Sequence, residues 1–415
     1  MDPYLWEWGS LLLRWLHVVA AMAWIGSSFF FMHLDATLRA RDDLPEAVRS
    51  AWQVHGGGFY EMRKWAVAPP SLPAHLTWHK WQAYWTWISG ALLLVWIYYA
   101  QSELYLIDPA VRELSPLAAA AFGAGGIVLG WLIYDGLCRS PLGRNDAALL
   151  AALFAYAVAV SAAFAALFSG RGALLHTGAV LATVMTGNVF LVIIPNQKKA
   201  VAQLLRGETP DPRFGREGKQ RSTHNNYITL PVVFLMLANH YPLTWASQAA
   251  IPAVVALTLI AGALVRVFYN RRHAGFDRPA HGNPWWAWGA TWGGAAAAVA
   301  LAAAITIGLG PADPAAERPA ARAPGPTAPA VRAEVPPEVE EIVIGRCAMC
   351  HMPAPAWAGL GMAPKGVVLD QPEAIAREAY AIRVQAVLSR AMPPGNITGL
   401  TEEERRVLGL WAAGR

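Results

Sequence analysis

The chain has 415 residues, 55% of them hydrophobic and only 15% charged, with 19 tryptophans, and its apolar residues gather in long runs that exclude an ordinary soluble globule. It reads as a membrane protein with a further domain attached. The formal charge of +5 does not point to nucleic acid, because 22 of the 33 Lys and Arg precede residue 310 and 19 of those fall in four connecting loops, a distribution that belongs to membrane orientation.

Apolar stretches of membrane-crossing length run at about 5–33, 79–100, 117–137, 147–168, 174–195, 224–241, 247–269 and 285–309. The expected fold is all-α: an eight-helix transmembrane bundle over 1–309, an Ala/Pro-rich linker over 310–337 and, over 338–415, where Cys347-Ala348-Met349-Cys350-His351 has the spacing of a covalent haem site, a small class I cytochrome c domain. The start is not a cleavable signal peptide, since Asp2 and Glu7 stand where bases are needed and Arg14 interrupts the apolar run. The sixth stretch is short and carries Pro231, which is expected to kink it.

Orientation follows from the loops. Arg39, Arg41, Arg49, Arg63, Lys64 and Lys80 follow the first span, and Arg139 and Arg144 the third. Lys198 through Arg221 follow the fifth, and Arg266, Arg271, Arg272 and Arg278 the seventh, whereas the alternate loops hold only Arg112 and Arg171. The positive-inside rule then places both termini outside the cytoplasm. The expected location is the bacterial inner membrane, multi-pass, with the C-terminal domain in the periplasm.

Ionisable groups inside a span are costly and mark candidate sites. In the first span Ser10, Arg14, His17, Trp24 and Ser28 recur at helical spacing on one face, expected to point into the bundle. At 1.5 Å per residue His17 lies about 18 Å below the outer end. His176 and His240, at outer ends of the fifth and sixth spans, are expected at similar depth, placed to sandwich a b-type haem or flank a substrate. His224 sits a full helix length from His240 and cannot share its site. His33, Asp35, His55, His75, His79 and His224 form a loose group on the cytoplasmic side. His55-Gly56-Gly57-Gly58 reads as a flexible loop or an anion-binding concavity. Asn188, Asn225 and Asn226 are placed to read the polar edges of a heterocycle, and Cys138 reads as a small apolar residue at a helix end.

Residues 310–337 are rich in Ala and Pro without periodicity and read as a semi-rigid tether, extended at roughly 3 Å per residue. Beyond it lies Cys347-Ala348-Met349-Cys350-His351, the spacing of a covalent c-type haem site: two thiols add to the two vinyl groups at one porphyrin edge, and the next imidazole reaches the iron. A zinc site would want a second Cys/His pair, which the remaining chain lacks. His351 and Met392 are the expected iron ligands, with Met362 the alternative to Met392. Thr401 with Glu404 forms a capping box that opens a closing helix, whose Val407, Leu408 and Trp411 share one apolar face.

Taken together, Arg14-Trp15-Leu16-His17, Ala23-Trp24-Ile25-Gly26-Ser27-Ser28, His55-Gly56-Gly57-Gly58-Phe59-Tyr60, Ala83-Tyr84-Trp85-Thr86-Trp87, Pro195-Asn196-Gln197, Gly218-Lys219-Gln220-Arg221-Ser222, His224-Asn225 and Asn239-His240-Tyr241-Pro242 resemble the bacterial membrane-bound urate oxidases linked to cytochrome c. The resemblance covers nearly the whole chain. It departs at Trp78-His79-Lys80-Trp81-Gln82-Ala83-Tyr84, where the family usually reads Trp-Phe-Lys-Trp-Glu-Ala-Tyr. That demotes His79 as a ligand and replaces a carboxylate base by Gln82. The resemblance implies oxidation of urate to 5-hydroxyisourate with water as the oxygen source. Electrons leave through the c haem to a respiratory acceptor, such as a soluble cytochrome c or a terminal oxidase, and not to oxygen. For an anionic, planar purine the expected partners are Arg14 as cation, Trp24 as aromatic wall, and His17 or His176 as base. If urate binds on the cytoplasmic side, electrons must cross about 30 Å of hydrocarbon, and a haem b on His17, His176 or His240 is the natural relay. If it binds near the outer face, haem c alone suffices. A quinol-to-cytochrome c conduit is the alternative function.

Overall fold

Apolar runs with few breakers leave backbone amides one way to satisfy themselves away from water, the intrahelical hydrogen bond, and helices dominate the computed structural model. It describes residues 3–65, 69–274, 289–317, 335–357 and 360–415. The long helices before residue 310 are α1 (Pro3–Thr37), α2 (Trp81–Leu93, continuing as a π-helical segment Leu94–Tyr99), α3 (Pro116–Arg139), α4 (Asp146–Ala165), α5 (Gly170–Leu205), α6 (Pro212–Ala238), α7 (Ile251–Ala274) and α8 (Gly289–Leu309). Among the described residues six of them, all but α2 and α6, are long and apolar enough to cross a membrane. The α6 helix is longer than expected because Pro212–Thr223, read as loop, is helical; its polar first half makes the apolar stretch short. The expected start of α8 at 285, and Arg278, lie outside the described residues.

Local chemistry sets the helix starts. Ser115 accepts the Ala118 N–H ahead of Pro116, Asn145 accepts those of Ala147 and Ala148, Ser169 that of Gly172, and Asp211 that of Arg213 ahead of Pro212; each satisfies donors that the first helical turn leaves unpaired. The hub is α5, with 61% of its apolar window buried against 6% for α1. It packs on α2, α3, α4 and α6, and α7 packs between α6, α4, α1 and α8. The π-helical segment Asn188–Ile193 interrupts α5 just above Pro195.

The expectation of an all-α chain is corrected between α1 and α2, where β1 (Val48–His55) pairs antiparallel with β2 (Gly58–Trp65), His55 opposite Gly58. Gly56 and Gly57 are the two turn residues, with φ of 57° and 78°. Positive φ at both positions defines the tight hairpin turn that glycine permits. The Gly run is thus a turn, not a flexible loop.

The C-terminal domain comprises α9 (Pro337–Cys347), α10 (Pro372–Arg377), α11 (Ala379–Leu388, its second half π-helical) and α12 (Glu402–Ala412). Its core joins Val339, Ile342 and Val343 of α9 to Leu408 of α12, with Val407 and Trp411 alongside, as the apolar spacing of both helices requires. The capping box is present in both directions: Thr401 N–H donates to Glu404 Oε2 at 2.7 Å, and Glu404 N–H to Thr401 Oγ1 at 3.2 Å. Arg346 of α9 also reaches Glu404 at 2.9 Å, so one carboxylate starts α12 and ties it across α9. Burial opposes the charged Glu404 carboxylate, but the Thr401 and Arg346 hydrogen bonds outweigh it and hold its pKa below the ordinary 4.5. A depressed folded pKa gives stability that is complete above the unfolded value and lost as pH falls through the folded one. Acid titration of the full-length protein, followed by domain unfolding, is therefore expected to show stability falling below about pH 4.5, with a shallower fall in Glu404→Gln.

The C-terminal domain packs on the bundle end opposite the basic loops. Gly395 lies against the Ile107–Pro109 segment, where an added Cβ would stand 3.0 Å from the Ile107 carbonyl oxygen, and α11 approaches the Pro242–Thr244 turn. The first residues of the expected tether are not extended: Pro314–Glu317 forms a 3₁₀ turn against α12, with Pro314 beside Gly409, and Asp313 pairs with Arg383. Residues 318–334 of the tether lie outside the described residues.

Candidate functional site

Three groups of polar side chains stand out, one in the C-terminal domain and two at opposite ends of the bundle. In the first, Cys347 ends α9 and Cys350 and His351 follow in the next turn, the His351 N–H bonding back to Cys347 O at 3.0 Å. His351 Nδ1 lies 2.9 Å from Val367 O. A carbonyl only accepts, so Nδ1 carries the hydrogen and Nε2 keeps its lone pair. Burial pushes the Cys347 thiol up to about 11 and raises that of Cys350, so both are neutral thiols near pH 7. Met392 is half-buried, while Met349, Met352 and Met362 are exposed. Its carbonyl accepts from the buried Arg405 of α12 at 3.2 Å, and Arg405 also bonds Ala386 O and, at 3.1 Å, Asn396 Oδ1. Arg405, which sequence reasoning missed, pins the turn carrying Met392. An imidazole with a directed lone pair, two adjacent thiols and a held thioether are the donor set of a covalent haem.

At the bundle end that carries the C-terminal domain, His176 is fully buried among Phe164, Phe168, Tyr98 and Tyr99. Its Nδ1 donates to Gly172 O at 2.8 Å, and Tyr99 OH donates to Nε2 at 3.2 Å. A Cβ on Gly123 would stand 2.7 Å from both Nε2 and that hydroxyl; only glycine admits this approach. His17 repeats the pattern on α1, its Nδ1 bonding Thr86 O at 3.0 Å and Ser89 Oγ at 3.1 Å, with the ring lodged where a Cβ on Gly90 would stand 2.9 Å away. Ser10 accepts from Trp96 Nε1 at 3.1 Å, so Ser10 and His17 face α2, and Trp24 packs on the central core. Arg14 is exposed. His240 is exposed as well, within electrostatic reach of Arg171, Arg14 and Lys365 of the C-terminal domain. No hydrogen bond joins His17, His176 and His240 among the described residues. His79 sets its ring edge against Phe31 at 4.8 Å.

The third group lies at the basic-loop end, and only its asparagines and His224 were foreseen. Arg221 is 4% exposed and donates to Asp135 Oδ1 at 2.7 Å; the other Asp135 oxygen takes Arg139 at 2.6 Å. Asn188 Nδ2 donates to Tyr134 OH and to Asn225 Oδ1, both at 2.9 Å, and its own Oδ1 faces Arg221 at 3.4 Å. Tyr134 lies 2.7 Å from His224 Nδ1, and Cys138 Sγ 3.9 Å from the same nitrogen. Asn226 belongs instead to a neighbouring pair with the buried Arg266. Asn188 is the first residue of the π-helical segment, a distortion frequent at functional sites, as Tyr98 and Tyr99 lie in that of α2. The signal for Arg221 was its charge next to an apolar run, which the count of Lys and Arg absorbed as orientation, and that for Asp135 was a carboxylate inside the expected third span, 117–137. Among the described residues no three His, Cys, Asp or Glu side chains form a group able to hold a metal ion.

The family model for the urate oxidase N-terminal domain matches residues 3–305. The chain belongs to this family. The match spans α1 to α8 and so takes in both bundle groups, and it ties the chain to oxidoreductases acting on urate. No curated protein and no solved structure shows significant similarity to the chain.

Proposed function

We propose that the protein is a multi-pass inner-membrane urate oxidase that passes its electrons to a C-terminal c-type haem. Urate and water become 5-hydroxyisourate, two protons and two electrons, and the electrons leave through the haem to a soluble cytochrome c or a terminal oxidase. The observation that carries this reading is the union, in one chain, of the urate oxidase family match over 3–305 with Cys347, Cys350 and an His351 whose Nδ1–H is held by Val367 O. Haem, once attached, supplies a one-electron acceptor and donor. Cys347 and Cys350 would hold it covalently, and His351 Nε2 and the Met392 thioether would ligate its iron, a thioether favouring the ferrous state.

All eight long helices cross the bilayer in this reading, α6 with its polar half among basic loops. Packing of the C-terminal domain on the end away from those loops accords with a periplasmic position. His17 shares the arrangement of His351, Nδ1 hydrogen-bonded to a backbone carbonyl, which is how proteins orient metal-binding imidazoles; His176 also donates Nδ1 to a carbonyl, but its buried Nε2 already accepts from Tyr99 OH. His17 is the residue that would hold a haem b or accept a proton, His176 would do so only on giving up Tyr99, and exposed His240 is the weaker candidate. Trp24 and Arg14 lie on the same helix as His17. The test is anaerobic addition of urate to the purified protein: appearance of a ferrous c-type spectrum, with neither oxygen uptake nor peroxide when air is admitted, supports the proposal. A spectrum that stays ferric overturns it.

A further inference from the structure

The end of α3, the C-terminal part of α5 and the start of α6 border an open cavity of about 360 Å³ on the basic-loop side, walled by Arg139, Lys199, Arg213, Glu217, Asn196 and Phe214. The volume is in the range of small-molecule sites, roughly 300–1,000 Å³, but such sites are usually apolar. This wall sets three cations against one carboxylate. That carboxylate is engaged, Asn196 Nδ2 donating to Glu217 at 2.8 Å with Arg213 3.8 Å away, and Lys199 stands over the Phe214 ring, 5.7 Å from its centroid. The cavity therefore favours an anion.

It is also joined to the buried group. Arg139 of the wall holds one oxygen of Asp135, and the other oxygen holds Arg221. Leu191 and Val192 of the wall come from the same π-helical segment as Asn188. Behind the cavity the side chains alternate in donor and acceptor character: guanidinium, two carboxamides, a phenol and an imidazole. Tyr134 OH accepts from Asn188 and lies 2.7 Å from His224 Nδ1. These buried side chains are hydrogen-bonded to one another and so hold the inner wall of the cavity in one arrangement.

We propose that this cavity is the substrate site, entered from the basic-loop face by a planar, monoanionic purine. Lys199 and Arg213 attract the anion, Asn196 stands beside them as a polar contact, and the buried Arg221–Asn188–Asn225 group fixes the inner wall through Asp135 and Arg139. The inference rests on the urate reading above and adds the side and the residues: substrate binds at the end of the bundle away from the C-terminal domain.

The test is equilibrium dialysis of urate against the full-length purified protein under argon, for the wild type, Lys199→Gln/Arg213→Gln, and Arg112→Gln at the opposite end. Lys199 and Arg213 are exposed, so their replacement leaves the packing intact. Loss of charge-assisted contacts is expected to raise the Kd of the double variant about tenfold or more and to weaken its salt dependence, while Arg112→Gln binds as the wild type does. A double variant that binds urate like the wild type overturns this site and leaves the urate reading standing. A wild type that neither binds urate nor is reduced by it overturns both.

Discussion

Cys347→Ala/Cys350→Ala is expected to bind urate with unchanged affinity yet pass no electrons from it, because the two thioether bonds that anchor the haem can no longer form. Urate-driven reduction of an external acceptor should fall to background, and the haemochrome spectrum in pyridine should lose its c-type band. Any b-type band would persist, since His17 and His176 belong to the bundle and keep their carbonyl partners at Thr86 and Gly172. The same spectrum on Met392→Ala, compared with Met362→Ala, assigns the sixth ligand. Met392 is held by the Arg405 contact to its carbonyl and Met362 is exposed, so only Met392→Ala is expected to lower the potential. Retained urate-driven reduction in the double cysteine variant would show that electrons leave by another route.

The second large effect lies at the basic-loop end. Asp135→Asn removes the carboxylate facing Arg221, whose guanidinium is 4% exposed, and leaves it with Asn188 Oδ1 at 3.4 Å and the Tyr134 ring 5.1 Å from its carbon. Breaking a buried pair by removing one partner costs about 3–5 kcal/mol, far more than an exposed pair, worth roughly 0–1 kcal/mol, such as Lys64–Asp35 between the hairpin and α1. Thermal unfolding in detergent is the measurement. Asp135→Leu/Arg221→Met, with both charges removed, should regain most of the lost stability. It should not regain urate binding, which separates the structural duty of this pair from its proposed duty toward the cavity wall. Equal stability of Asp135→Asn and the wild type would mean that the guanidinium finds another partner.

Features set by neighbouring residues were legible. Long apolar runs announce helices because a stretch of some 20 residues must satisfy its own amides whatever surrounds it. The turn of Thr401 into Glu404 caps α12 because both groups lie within one helical turn, and Cys347, Cys350 and His351 read as a haem site because their spacing is a matter of covalent reach. The hairpin was hidden for the same reason in reverse. Three consecutive glycines permit many conformations, and the choice of a tight turn is made by pairing Val48–His55 with Gly58–Trp65.

The bundle interior depends on contacts that no local pattern encodes. Asp135 and Arg221 are 86 residues apart, and His17 and Ser89 72 apart; which side chains meet is settled by how α3 lies on α5 and α6, and α1 on α2. A count of Lys and Arg is the ground for expecting the basic-loop end to face inward, since each exposed charge adds to orientation independently of its neighbours. It could not tell that two of those arginines, Arg221 and Arg266, are buried, because burial of a charge is decided by the partner that packing brings to it. The composition and motifs thus determine a chain of long apolar helices and, in Cys347, Cys350 and His351, the spacing expected of a covalent haem site at its far end, and the packing of α3, α5 and α6 supplies the charged cavity at the other.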